Sequence, residues 1–202
     1  MRHGQSEGNA SGVLQGRLDF GLTALGRVQA EATARHLASL SVDRLLSSPL
    51  GRATQTAEPI AATLRLPIEP EPGLMEYDVG EVSGLAPAEV RERYPDVVAA
   101  YRKGLRPAFP GEEGRDTFHA RVRQVVEALE GTKQTVVAVA HGGVISAVCY
   151  QVLGMAPQRR GAFETANCSI TEVVMDRQGR LVLTRQNDVC HLAGVVTTLD
   201  VG

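Results

Sequence analysis

Apolar positions along the chain change repeatedly between a helical and an extended spacing. The apolar residues at near-helical spacing that follow Thr23 are Leu25, Val28, Leu37 and Leu40. They predict a helix to about residue 40, with Thr23 as its N-cap. Residues 135–140 form an apolar run without alternation, which is typical of a strand buried on both faces.

Shorter patterns place the remaining elements. Short strands are predicted at 42–46 and from about residue 68, and helices at 52–64, at 87–94, from an Asp116 or Thr117 cap to about 130, and from about residue 144. The Pro- and Gly-rich residues 70–84 predict an ordered loop, and a Pro- and Gly-rich connection follows from Gly104 to Gly114. Strands and helices therefore alternate, which favours a mostly parallel sheet.

The C-terminal part of the chain has a different pattern. Residues 170–175 and 181–185 alternate around Asp176-Arg177-Gln178-Gly179, which predicts an antiparallel hairpin at the sheet edge. The predicted fold is a three-layer α/β/α sandwich, with a mostly parallel sheet, an antiparallel edge hairpin and a single domain over residues 1–202. The tail 193–202 has no readable pattern and no assigned role.

Composition narrows the classes of function. Of the 202 residues, 43% are hydrophobic, which is typical of a globular protein with a real core. A formal net charge of -2 argues against binding to nucleic acid or to a membrane surface. Neither a signal peptide nor an apolar run of transmembrane length is present, so we expect a cytoplasmic protein.

Cysteine and histidine spacing gives no sign of a metal site. The three cysteines, Cys149, Cys168 and Cys190, are far apart and form no C-x-x-C pair. The five histidines lack the H-E-x-x-H pattern and do not pair at ligand spacing. We expect neither a metal nor another cofactor.

The opening Arg2-His3-Gly4 is the strongest chemical signal. An arginine can bind phosphate with paired donors, and a neutral imidazole can attack phosphorus and carry the phosphoryl group. Such a histidine should follow a buried parallel strand, where α/β sheets place their ligand sites. Hardly any chain precedes Arg2, so we expect the first strand to be truncated, and the native chain to start upstream or to manage without that strand.

Four further local motifs follow Arg2-His3-Gly4 and Asn9 in the chain. They are Gln15-Gly16-x-x-Asp19-x-x-Leu22-Thr23-x-x-Gly26-x-x-Gln29, Ser47-Ser48-Pro49-Leu50-x-Arg52-Ala53, Leu74-x-Glu76-x-x-x-Gly80-x-x-x-Gly84 and Val139-Ala140-His141-Gly142-Gly143. In this order the set closely resembles the histidine phosphatase superfamily, in its phosphoglycerate-mutase-like branch. The resemblance extends from residue 2 to about 192.

The resemblance implies a covalent mechanism that needs no metal. His3 matches the nucleophile that becomes phosphohistidine, and Arg2, Arg52 and His141 match the catalytic phosphate pocket. Glu76 matches the residue that protonates the leaving alkoxide and then takes a proton from water, although Asp78 and Glu81 lie close by in the sequence. Asn9, Gln15, Gly16 and Gly142 match positions around the phosphate and substrate.

Phosphatases and mutases of this family share these residues and differ in how water reaches the pocket. After the acidic residue that Glu76 matches, the glycolytic mutases have a longer insertion rich in basic and aromatic residues. The corresponding stretch of this chain, residues 77–111, is short. This favours hydrolysis of a small phosphorylated metabolite, since an open pocket admits water. A phosphoglycerate-type mutase and a catalytically silent phosphate-binding protein are the alternatives. The substrate stays open, and a homodimer is possible.

Overall fold

The computed structural model describes residues 1–103, 105, 107–156 and 162–195. The helices are α1 (Glu7–Ala10), α2 (Ala24–Leu37), α3 (Gly51–Leu64), α4 (Pro87–Arg93), α5 (Pro95–Arg102), α6 (Arg115–Glu130) and α7 (Gly142–Val152). The strands are β1 (Arg44–Ser47), β2 (Ile68–Pro70), β3 (Val136–Val139), β4 (Ile170–Met175) and β5 (Leu181–Asp188). Three short 3-10 turns cover Pro72–Leu74, Gly80–Val82 and Cys190–Leu192.

The sheet confirms the predicted parallel arrangement. Strands β2, β1 and β3 lie side by side in that order and are all parallel. Strands β4 and β5 form the predicted antiparallel hairpin as a two-stranded sheet of their own. The hairpin starts at the residues that the sequence indicated, and its second strand continues to Asp188.

Helices cover both faces of the parallel sheet, which gives the three predicted layers. The neighbouring residues Leu45 and Leu46 of β1 point to opposite faces, as successive strand residues must. Leu45 packs with α2 and α3 in one apolar cluster. Leu46 packs with α6 and α7 in a second cluster around Phe118 and Val122.

The first residues of the chain extend the sheet beside β3. The amide of Ala140 donates to the Met1 carbonyl at 2.9 Å, and the amide of His3 donates to the Ala140 carbonyl at 3.0 Å. On the other side, Arg2 donates its amide to the Ser169 carbonyl at 3.1 Å. Residues 1–3 thus form a short extended segment beside β3 and carry His3 to the carboxyl end of the sheet.

Two helix details differ from the sequence prediction. Helix α6 begins at Arg115 with Gly114 as its N-cap, so neither Asp116 nor Thr117 caps it. Helices α1 and α5 were not predicted, because α1 is one turn long and α5 has no buried residue that would give it an apolar face.

Some expectations lie partly outside the described residues. Gly104 and Arg106 of the Pro- and Gly-rich connection are outside them, as are residues 196–202 of the tail. Across the described ranges, none of the helices has both the length and the apolar character that crossing a bilayer requires.

Candidate active site

A cleft of about 530 Å³ opens where the parallel strands end, next to the segments that follow them. Its wall includes seven of the predicted site residues, namely Arg2, His3, Asn9, Gln15, Gly16, Arg52 and Glu76. These residues come from segments that are up to 74 positions apart, 76 minus 2. The fold therefore brings most of the predicted site into one cleft.

The His3 imidazole is held in one tautomer. Its Nδ1 lies 2.7 Å from the carbonyl oxygen of Gly4. A carbonyl oxygen can only accept a hydrogen bond, so Nδ1 carries the proton and Nε2 keeps its lone pair. Burial, with the charges of Arg2 and Arg52, holds the pKa of His3 well below its usual range. His3 is therefore a neutral imidazole with a free basic nitrogen.

Two buried arginines flank His3. Arg2 donates from Nη1 to the Thr165 carbonyl at 2.5 Å. Arg52 donates from Nη1 to the Leu18 carbonyl and from Nη2 to the Gly16 carbonyl, both at 2.8 Å. Its Nε has no hydrogen-bond partner within the described part of the chain, although it is buried. A buried donor of this kind is suited to an anion in the cleft.

Two carboxylates act on the charge of Arg52. Burial lowers the pKa of its guanidinium, while the carboxylates of Glu76 and Asp19 oppose that shift. Asp19 also accepts the Gly51 amide at 2.7 Å, which ties the loop before α2 to the start of α3. Arg52 is thus fixed by the same loop, 16–19, that lines the cleft.

His141 lies behind the cleft wall. It is fully buried, and its ring centroid is 5.1 Å from that of His3. Its Nε2 lies 2.8 Å from Ser48 Oγ, at the end of β1. Burial, then the charges of His3 and Arg52, holds the pKa of His141 well below its usual range. Of the predicted site residues, His141 and Gly142 are the two outside the lining.

The turn after His3 places two more predicted residues. Asn9 Oδ1 accepts from the amide and the hydroxyl of Ser6 at 3.1 and 2.9 Å. The Ser6 hydroxyl also lies 2.7 Å from Gln15 Oε1, so both amide side chains meet at one serine. Asn167, which the sequence analysis missed, donates to the His3 carbonyl at 3.3 Å and to Asn9 Oδ1 at 3.2 Å.

Helix α2 explains why glycine follows His3. A Cβ on Gly4 would lie within 3.2 Å of Gly26 Cα, and a Cβ on Gly26 would overlap the Gln5 backbone. The two glycines therefore allow the His3 turn to rest directly on the helix. Gln29 Oε1 then accepts the Gln5 amide at 2.9 Å, which fixes the register of this contact.

Glu76 reaches the cleft from the loop that follows β2. Its Oε1 accepts the amide of Tyr77 at 2.8 Å, and its Oε2 accepts the amide of Gly143 at 3.1 Å. Gly143 is in the first turn of α7, directly after the predicted His141-Gly142 pair. Two main-chain donors thus hold the carboxyl group against the start of α7.

Metal-binding side chains do not cluster in the described ranges. Within them, no three His, Cys, Asp or Glu side chains come together in a group that could hold a metal ion. The groups in the cleft are instead two guanidinium groups, an imidazole and a carboxyl, a set suited to binding and transferring a phosphoryl group.

Comparison with known proteins gives a consistent result. A model of the histidine phosphatase superfamily (branch 1) matches residues 1–188. The putative phosphoserine phosphatase 2 of Hydrogenobacter thermophilus is 33% identical over 193 residues, which are 95% of each chain. The glucosyl-3-phosphoglycerate phosphatase of Mycolicibacterium vanbaalenii is 35% identical over 164 residues, 77% of this chain and 73% of that protein.

Solved structures agree with the sequence comparison. The native structure of mycobacterial glucosyl-3-phosphoglycerate phosphatase has a TM-score of 0.81 and 31% identity, and covers 92% of this chain and 95% of its own. That mycobacterial enzyme has also been solved with inorganic phosphate, with a TM-score of 0.81, 29% identity and coverage of 94% and 96%.

Proposed function

This chain belongs to the histidine phosphatase superfamily, and we propose that it hydrolyses small phosphate monoesters through a phosphohistidine on His3. One observation carries this proposal. The Nδ1 of His3 is committed to the Gly4 carbonyl, which leaves an unprotonated Nε2 in a cleft that two buried arginines line.

In the first step, His3 Nε2 attacks the phosphorus atom and the bond from phosphorus to the ester oxygen breaks. Arg2 and Arg52 offset the negative charge that is spread over the phosphoryl oxygens. The Nε of Arg52, for which the described residues offer no hydrogen-bond partner, is suited to donate to one of them. The carboxyl of Glu76 gives its proton to the departing oxygen, so that an alcohol leaves rather than an alkoxide.

In the second step, the Glu76 carboxylate takes a proton from a water molecule, which attacks the phosphohistidine. The bond from phosphorus to nitrogen breaks, inorganic phosphate forms and His3 returns to its neutral state. Asn9 is suited to contact the phosphate, since Ser6 and Asn167 hold its oxygen in place.

We assign to His141 a supporting role at the phosphate pocket. Its neutral ring packs on His3, and the hydroxyl of Ser48 fixes its orientation. Its Nδ1 is buried and has no hydrogen-bond partner among the described residues. Gly142 follows it directly in the strand-to-helix turn, where a Cβ would lie 3.1 Å from the Oγ1 of Thr165, the residue whose carbonyl accepts from Arg2.

The part of the cleft beyond the phosphate points to the class of substrate. Its side chains include the apolar or aromatic residues Val13, Leu14, Tyr77, Val79 and Pro87. Among the described lining residues, Arg2 and Arg52 are the only cations, and the mechanism assigns both to the phosphate. We therefore expect phosphate esters of neutral or partly apolar alcohols to be preferred over phosphoserine or a phosphoglycerate, whose carboxylate would find no third cation among the described lining residues.

The experiment is phosphate release from a panel of monoesters in EDTA, comparing the wild type with His3→Ala and with His36→Ala. His36 is exposed, so its replacement is the matched control for loss of an imidazole. We expect metal-independent phosphate release that His3→Ala abolishes and His36→Ala keeps. The highest kcat/KM should belong to monoesters of neutral alcohols. Full activity in His3→Ala would refute the proposed nucleophile.

The alternatives give different results in the same experiment. A mutase would move phosphate between hydroxyls of a phosphoglycerate and release little of it. A silent binding protein would form no acid-labile phosphohistidine when it is quenched with a labelled monoester. Two relatives named as phosphatases, each at least 33% identical, favour hydrolysis over both.

A further inference from the structure

The guanidinium of Arg121 lies beneath the loop that carries Glu76, in a position that the catalytic steps do not use. Its Nη1 donates to the carbonyls of Gly73 and Met75 at 2.8 and 2.6 Å, and its Nη2 donates to the Glu76 carbonyl at 3.0 Å. Three carbonyls within four residues of loop, 73–76, therefore share one side chain from the middle of α6.

Glu113 holds this guanidinium from the other side. Its carboxylate accepts Arg121 Nε at 2.5 Å and Nη2 at 3.0 Å, in the paired geometry of an arginine and a carboxylate. It also pairs with Arg17 Nη2 at 2.8 Å and accepts the Asp78 amide at 3.3 Å. The Glu113 side chain is only 6% exposed, so water screens these charges little.

The charge state of Glu113 fits this arrangement. Burial opposes its ionisation, but the hydrogen bond and charge of Arg121, the Asp78 amide and the charge of Arg17 together hold the pKa of Glu113 below its usual range. The carboxylate is therefore ionised at neutral pH, and both arginines stay paired with it.

Arg17 connects this group to the cleft. Its Nε donates to the Glu76 carbonyl at 3.3 Å, the same oxygen that Arg121 contacts. Arg17 directly follows Gly16, whose carbonyl holds Arg52. We infer that Arg17, Glu113 and Arg121 form a clamp on the Glu76 main chain that positions the proton donor against the phosphate pocket, an inference that rests on the proposed function.

The clamp predicts a specific kinetic signature. A misplaced Glu76 matters most when the leaving group needs a proton, and little when the leaving group departs as a stable anion. The two substrates are therefore an alkyl phosphate and p-nitrophenyl phosphate. The parameter is kcat/KM, because it reports only the steps up to release of the alcohol.

The variants are Glu113→Gln, which keeps the shape and removes the charge, and Arg121→Lys, which keeps the charge and loses the paired geometry. We expect kcat/KM for the alkyl phosphate to fall roughly 10- to 100-fold, as for a displacement of about 1 Å in a catalytic group. For p-nitrophenyl phosphate we expect a loss below about threefold, since proton transfer then contributes little. The matched controls are Glu127→Gln and Arg123→Lys, which make the same two replacements at exposed positions of α6.

A role in stability alone would give a different result. Equal losses on both substrates, or no loss on either, would overturn the inference, with melting temperatures measured in parallel. If both variants unfold, Arg17→Met leaves Arg121 on Glu113 and should show the same selectivity at smaller size. Equal or absent losses there would equally count against the clamp.

A double variant separates this inference from the proposed function. If Glu76 is the proton donor, adding Arg121→Lys to Glu76→Gln should cost nothing further on the alkyl phosphate, because the clamp acts through that side chain. A further loss would overturn the clamp alone. If Glu76→Gln itself affects both substrates equally, the assignment of Glu76 as donor fails instead.

Discussion

Replacing Gly143 by alanine should move the Glu76 carboxyl while leaving the fold intact. A Cβ at this position would overlap Glu76 Oε1 and lie 3.2 Å from its Cδ and 3.5 Å from its Oε2. The carboxyl group is the far end of a flexible side chain, so it can retreat by something below about 1 Å at low cost in packing. Its hydrogen bond from the Gly143 amide, now 3.1 Å, must then change.

Stability and activity should respond in opposite ways to Gly143→Ala. Gly143 is in the first turn of α7, where alanine favours the helix by up to about 1 kcal/mol relative to glycine. The melting temperature should therefore hold or rise. A displacement of this size should lower kcat/KM for an alkyl phosphate roughly 10- to 100-fold, which corresponds to about 1.4 to 2.7 kcal/mol of transition-state stabilisation.

The assay compares alkyl phosphate and p-nitrophenyl phosphate hydrolysis with thermal unfolding of the same preparations. Gly131→Ala is the matched control, since a Cβ there meets no atom within 4 Å. Wild-type kcat/KM for the alkyl phosphate in Gly143→Ala would refute the reasoning, because it would mean that the contact between Gly143 and Glu76 does not define the reactive position of the carboxyl.

Two further predictions concern the phosphate side of the cleft. Arg52→Lys cannot reach both the Leu18 and Gly16 carbonyls while offering a third donor, so we expect kcat to fall about 100-fold on every monoester, measured at saturating substrate. Burial holds the pKa of His3 and of His141 well below the ordinary value of 6.5. Both rings therefore stay neutral at a pH just below 6.5, where the same two histidines bind protons in the unfolded chain. Together they should lower the free energy of unfolding by about 2 kcal/mol between pH 6.5 and 5.5, measured by urea denaturation, and His141→Asn should remove about half of that dependence.

Residues that belong to short local motifs could be predicted from the sequence. His3 and Arg52 each stand beside a glycine, Glu76 lies in a motif between Leu74 and Gly80, and the structure puts all three in one cleft. Strand β3 and the hairpin were predicted for the same reason, because their apolar spacing reflects local burial. His141 was predicted at the phosphate. The structure buries it with its ring centroid 5.1 Å from that of His3, and its role at the phosphate stays a prediction, since spacing along a chain does not show which of two neighbouring rings lines the cleft.

Residues whose hydrogen-bond partners lie far away in the sequence could not be recognised from the sequence. Arg121 on a helix and Glu113 in a connection have the residue types of ordinary surface charges, and both bury their charge against main-chain carbonyls and amides. The partners of Arg121 on the Glu76 loop are 45 to 48 positions away in the sequence. A pattern of side chains cannot reveal a hydrogen bond whose acceptor is the backbone, since every residue has the same carbonyl.

The nucleophile His3 and the proton donor Glu76 are therefore held in place by different kinds of contact, and this determines how each should respond to mutation. The nucleophile stands on main-chain hydrogen bonds, from His3 to Ala140 and from Cys168 to His3, which no side-chain replacement removes directly. Glu76 lies in a loop outside the sheet, and the charged side chains of Arg17, Glu113 and Arg121 hold the main chain of that loop. Substitutions far from the cleft should therefore weaken proton transfer before they weaken phosphoryl binding, which makes poor leaving groups the more sensitive probe of this enzyme.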